Sequence, residues 1–199
     1  MNVKIELKGP DVVEDILELV DRLGVANFCS YSSFDLQKIQ LVRELRPDRD
    51  PSTGEYLYKT GALFNRIDAS GKVLDDDYSP INTVKNWSDC DVIERAMAVG
   101  ASEVHLKYDT CSKPLIERIH ASGMGSMAWL CGPISMAEHT SVKYRDVGNE
   151  DFAMYEALVQ TGVQQMCVNK PDVLIALRER IFLQLQGQRK QQLRKIDSL

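Results

Sequence analysis

The stretch that decides the fold is Met1-Asn2-Val3-Lys4-Ile5-Glu6-Leu7-Lys8. Val3, Ile5 and Leu7 alternate with Lys4, Glu6 and Lys8, a two-residue period that predicts a strand with one apolar and one charged face. Gly9-Pro10 ends it, and Val12, Val13, Ile16, Leu17, Val20 and Leu23 then recur at helical spacing. Asp11, with Glu14 three residues on, predicts a capping box, and Gly24 predicts the helix stop. A strand feeding a helix reads as a β/α unit, and in such folds ligands sit at the carboxyl ends of the strands. Glu6 and Lys8 lie at that end, two residues apart on one face. A carboxylate beside an ammonium suits a site that holds a metal ion and a phosphate. The plainer reading is a solvated strand face with a weak ion pair.

The same alternation recurs along the chain. Strands are expected over 25–31, 56–64, 103–107, 126–130 and 163–168. Ser32-Ser33-Phe34-Asp35 opens a helix striped by Leu36, Ile39, Val42 and Leu45. Ser88 is the expected cap of a short helix to residue 98. Pro114 sits in the first turn of a helix that Gly123 stops, and further helices are expected over 151–161 and 172–185. Two polar stretches, 65–86 and 132–149, interrupt the pattern, and the acidic run Asp75-Asp76-Asp77 in the first reads as solvated loop charge. From Gln186 the chain is rich in Gln, Lys and Arg, so 186–199 is expected to be a polar basic tail, a frayed helix or disordered. Repeated β/α units over 1–185 imply a parallel sheet, doubly wound or closed as a barrel. Six units are two fewer than a (β/α)8 barrel has. No Gly-rich phosphate loop follows any strand, which argues against Rossmann and P-loop folds.

Composition narrows the partners. A length of 199 residues supports one sizeable core, and a net charge of -5 gives no electrostatic case for nucleic acid as the main partner. No apolar run approaches ~20 residues, so no transmembrane segment is expected. The N-terminus lacks the basic-then-apolar pattern of a signal peptide. Five widely spaced cysteines (Cys29, Cys90, Cys111, Cys131, Cys167) form no C-x-x-C pair, which points to reduced thiols and a cytoplasmic setting.

Four pieces, in order, resemble the glycerophosphodiester phosphodiesterase family. They are Ile5-Glu6-Leu7-Lys8 (the family's E-x-K strand), Ser32-Ser33-Phe34-Asp35 (its S-F-D strand end), His120-Ala121-Ser122-Gly123 leading to Trp129, and Gly162-Val163 through Asn169-Lys170-Pro171-Asp172. The resemblance implies a TIM (β/α)8-type barrel represented by its last six units, with the first two missing. The family reaction is metal-dependent hydrolysis of glycerophosphodiesters to glycerol 3-phosphate and an alcohol, in lipid metabolism. The implied partner is a small glycerophosphodiester or lipid substrate, and the implied cofactor is a divalent cation, Mg²⁺ or Ca²⁺.

By the same resemblance, Glu6 matches a metal-ligand carboxylate and Lys8 the lysine that faces the phosphate. Trp129 matches an aromatic that packs on the glycerol moiety, and Phe34 a wall residue. Trp129 and Phe34 fit an ordinary core equally well. The family's H-R-G, E-x-D and H-D motifs do not occur in this sequence, its Thr-Asp is replaced by Val168-Asn169, and a Thr by Leu130. Both proton-transfer histidines lack a counterpart, so this chain alone is expected to be inactive. A non-catalytic barrel serving as a binding or scaffolding module is the alternative. His105 reads as a core histidine, His120 as a surface or packing one, and His139 as a loop residue without a role.

Overall fold

The computed structural model describes residues 2–74, 90–130 and 150–196. In these, β1 (Val3–Glu6), β2 (Cys29–Ser33), β3 (Lys59–Phe64), β4 (Glu103–Lys107), β5 (Gly125–Trp129) and β6 (Gln165–Cys167) form one sheet. The spatial order is the sequence order, and every neighbouring pair is parallel. The helices α1 (Val13–Leu23), α2 (Leu36–Leu45), α3 (Val92–Ala98), α4 (Lys113–Ala121), α5 (Phe152–Thr161) and α6 (Pro171–Ile196) follow the strands in turn. The sheet is curled: the Lys4 ammonium on β1 reaches Glu103 on β4 at 2.7 Å and Gln165 on β6 at 3.2 Å. Only a sheet bent back toward itself lets its first and last strands meet. The molecule is an α/β half-barrel.

The two-residue alternation sets the layers. Ile5, Tyr31, Ala62, Val104, Leu106 and Ala128 face outward and pack under the helices. Lys4, Glu103, His105 and Gln165 face inward and bond one another. Helix stripes supply the other half of the core: Leu17 and Val20 of α1, Ile39 and Val42 of α2, Ile116 and Ile119 of α4, and Leu177 of α6 are all buried.

Several local expectations need correction. Asp11 and Glu14 form no capping box: Val12 is the N-cap of α1 and makes no side-chain bond. Asp11 follows Pro10 with φ +49°, and Asp tolerates that left-handed region. The capping box is instead at α3, where the Asp91 carboxylate accepts from the Ile93 and Glu94 amides and Glu94 answers the Asp91 amide. The second and third strands start later than their apolar runs, because residues Ala26–Phe28 make a 3₁₀ turn and Arg49 bridges Tyr56 ahead of β3. The last helix continues to Ile196, well into the expected tail. Asp75-Asp76-Asp77, Ser88, Cys131, His139 and the stretch 132–149 lie outside the described residues. Within them, Cys29, Cys90, Cys111 and Cys167 are free thiols, and no helix is long and apolar enough to cross a membrane.

Candidate functional site

Parallel strands place all their carboxyl ends at one rim. Glu6 ends β1, Phe34 follows β2 and Trp129 ends β5, so the three share that rim. Glu6 Oε2 lies 3.3 Å from Lys8 Nζ, with the lysine side chain 75% exposed. The plain reading of that pair therefore holds as geometry: a weak ion pair on an open surface. Phe34 and Trp129 meet edge to face, ring centroids 5.5 Å apart at 89°. This is a favoured arrangement for two rings, since the positive edge of one meets the negative face of the other. It brings together two residues 95 positions apart in sequence and makes an aromatic wall at the mouth. The Trp129 Nε1 donor is buried and has no hydrogen-bond partner among the described residues.

Below the rim lies a polar cluster that the sequence reading missed. Glu103 Oε2 bonds Lys4 Nζ and His105 Nε2, each at 2.7 Å, and its Oε1 accepts from Gln165 Nε2 at 2.8 Å. Burial pushes the Glu103 carboxyl up, but the bonds from His105 and Lys4 outweigh it and hold it down at about 2. Burial drives the His105 imidazole below its ordinary value, so it is neutral. The network assigns its proton to Nε2, facing Glu103, and leaves Nδ1 buried without a partner among the described residues. The ring lies against Gly61, where a Cβ would sit 2.1 Å from His105 Cε1. The alternation Glu103-Val104-His105-Leu106-Lys107 was the available signal, since it puts three ionisable groups on the inner face.

A second buried carboxylate supports the rim from behind. Glu150, 4% exposed, accepts from the Tyr155 hydroxyl, from the Asn169 amide at 2.9 Å and from Asn169 Nδ2. Asn169 Nδ2 also reaches the Leu130 carbonyl at 3.5 Å, next to Trp129. Burial raises the Glu150 carboxyl, and the hydrogen bonds from Tyr155 and Asn169 overcome that and keep it below its ordinary value. Asn169 is thus a donor in a structural clamp. His120, on α4, bonds Ser126 Oγ at 2.8 Å and is a packing residue.

Among the described residues no three His, Cys, Asp or Glu side chains group closely enough to hold an ion. Glu6 is one carboxylate already beside an ammonium, whereas Mg²⁺ and Ca²⁺ need several oxygen ligands.

No family model matches the sequence, and no curated protein matches it. Solved structures do. A Galdieria sulphuraria protein assigned to the glycerophosphodiester phosphodiesterases aligns over 88% of this chain and 56% of its own, at 16% identity and TM-score 0.60. A glycerophosphodiester phosphodiesterase from Agrobacterium tumefaciens aligns over 89% and 56%, at 17% and 0.56. An Oleispira antarctica phosphodiesterase, solved with its product sn-glycerol-3-phosphate, aligns over 90% and 56%, at 14% and 0.55. The fold is that of the glycerophosphodiester phosphodiesterases. At these identities the likeness concerns the fold, and the chain spans about half the length of the phosphodiesterases it matches.

Proposed function

We propose that this chain is a glycerophosphodiester phosphodiesterase-like protein, the last six units of a TIM-type barrel, whose carboxyl-end rim binds a glycerol phosphate group. The observation that carries the reading is the joint placement at one rim of the Phe34–Trp129 wall and the Glu6–Lys8 pair. An aromatic wall suits the carbon face of a glycerol. Lys8 supplies positive charge for the phosphate, and Trp129 Nε1 is a buried donor suited to an oxygen. The Oleispira antarctica enzyme holds sn-glycerol-3-phosphate on the same fold. In the complete reaction, a glycerophosphodiester would be cleaved by water to glycerol 3-phosphate and an alcohol, with a divalent cation polarising the phosphate. The described residues supply neither a metal cluster nor a rim histidine, so the role of this chain's own residues is to bind and orient.

One observation favours the binding-module alternative. Asn169, where the resembling family has an aspartate, is committed to the Glu150 clamp and serves packing.

Titration of the chain with sn-glycerol-3-phosphate, followed by NMR shifts of the indole N–H resonances, tests the rim. Trp129 should shift in a saturable manner, with affinity near the ~1 mM end of the scale. Lys8→Ala should weaken binding several-fold, because a phosphate loses an ionic partner. An unchanged affinity in both Lys8→Ala and Trp129→Ala would place the ligand elsewhere.

A further inference from the structure

Toward the amino ends of the strands, the interior of the half-barrel is polar and incompletely filled. In a closed barrel the inner layers are mostly bulky branched apolar side chains. Here a cleft of about 510 Å³ remains, lined from both edge strands, β1 and β6, and within the size range of small-molecule sites. Register aligns three of its inner-face residues across adjacent strands: Lys4 pairs with Ser30, and Ser30 with Lys59. Neighbouring strands lie about 4.8 Å apart, so the two lysines flank the serine from either side. Val3, Phe28, Met127 and Met166 give the same cleft an apolar wall.

The donors of that row are not spent. The Ser30 hydroxyl enters no hydrogen bond among the described residues. Lys4 Nζ donates to Glu103 and Gln165. Its third neighbour, His105 Nε2 at 3.3 Å, carries a proton that faces Glu103, so one ammonium hydrogen lacks an acceptor among the described residues. Lys59 pairs with Glu55, both side chains more than half exposed, and such a pair is weak and readily exchanged. The charged residues lining the cleft are Lys4, Lys59 and Glu103. Glu103 is ionised, so two positive charges stand against one negative, a net charge of +1. A ligand with a single negative charge neutralises that balance, whereas a dianion would leave an excess beside Glu103.

We propose that this cleft binds a singly charged amphipathic anion, a carboxylate on a short hydrocarbon body. The carboxylate sits over Ser30 between Lys4 and Lys59, and the hydrocarbon lies against Phe28, Met127 and Met166. Lys4 keeps its bonds to Glu103 and Gln165 throughout. The proposal is independent of what the carboxyl-end rim binds.

Calorimetric titration of the whole chain with sodium octanoate should show one saturable site with Kd of about 0.1–1 mM. Octanol, which keeps the hydrocarbon and lacks the charge, should bind at least about tenfold more weakly. Lys59 is exposed, so Lys59→Gln keeps the fold, and it should weaken octanoate binding about fivefold. Ser30→Ala should cost about two- to threefold. Location is read separately: Cys167 is an exposed thiol on the cleft lining, so octanoate should slow its alkylation by iodoacetamide. Octanol binding as tightly as octanoate, an affinity indifferent to Lys59→Gln, or unaltered Cys167 alkylation would each overturn the proposal. So would the absence of saturable uptake below about 10 mM. Loss of octanoate binding in Lys8→Ala would move the ligand to the rim, which overturns this site and leaves the rim reading standing.

Discussion

His105 shows how one residue organises the inside of the half-barrel. It is completely buried, and its ring fits only because position 61 has no side chain. Keeping it neutral has a cost that depends on pH. The unfolded chain protonates this histidine near ~6.5, while the folded chain resists, so below that pH the unfolded state holds more protons and stability falls. Glu103 acts lower down. Its carboxyl is held at about 2 in the fold against ~4.3 in an unfolded chain. That stabilisation is present above ~4.3 and is lost as pH drops toward 2. Urea midpoints should therefore decline from pH 7 to pH 5, and His105→Gln should flatten that decline while lowering the midpoint at pH 7. Glu103, which faces the imidazole, stays ionised across this range, so a decline unchanged in His105→Gln would locate the acid sensitivity elsewhere. Of the rim residues, Glu6, Lys8, Phe34 and Trp129 were all named from sequence, and all stand at the carboxyl-end rim. The edge-to-face contact of Phe34 with Trp129 was not legible, because it depends on the curl of the sheet between two strands far apart in the chain.

At the level of elements, the strand over 103–107 matches the sequence reading residue for residue, because its alternation is clean and its ends are sharp. The glycine stops at 24 and 123 also hold, each with positive φ. Caps were harder to read. Asp11-x-x-Glu14 and Asp91-x-x-Glu94 carry the same pattern, and only the second closes, since Asp11 has a left-handed backbone and Asp91 an extended one. The difference is measurable. Asp91→Ala should cost about 1–2 kcal/mol, because two amide donors at the start of α3 lose their acceptor. It also removes the ionic partner of Arg118 on α4, which keeps its bond to the Ser70 carbonyl. Asp11→Ala, with no side-chain bond to α1, should stay within about 0.5 kcal/mol of the parent. Chemical denaturation of the two variants side by side checks this, and equal losses would mean that the two caps do not differ in solution.

For the whole molecule, the parallel α/β class was legible because each β/α unit repeats its own signature. The curl was legible only through the family resemblance, because periodicity fixes which face a side chain takes and says nothing about how far a sheet bends. General acid–base catalysis contributes typically ~10²–10⁴-fold, and neither a rim histidine nor a metal cluster stands among the described residues. On the proposed binding reading, the isolated chain should show no hydrolysis of glycerophosphocholine above background in a choline-release assay, with or without added Mg²⁺. Turnover that survives Glu6→Ala and Lys8→Ala would place a catalytic centre away from this rim. The strand order carries a kinetic consequence. Each strand pairs with the next one along the chain, so the sheet can grow one unit at a time, as a polypeptide would emerge during synthesis. No early strand has to wait for a distant partner, and the entropic penalty of long loops is deferred. Among the described residues Lys4 waits longest: its bonds to Glu103 and Gln165 span 99 and 161 positions, so this lysine makes its last hydrogen bond when the sixth strand arrives.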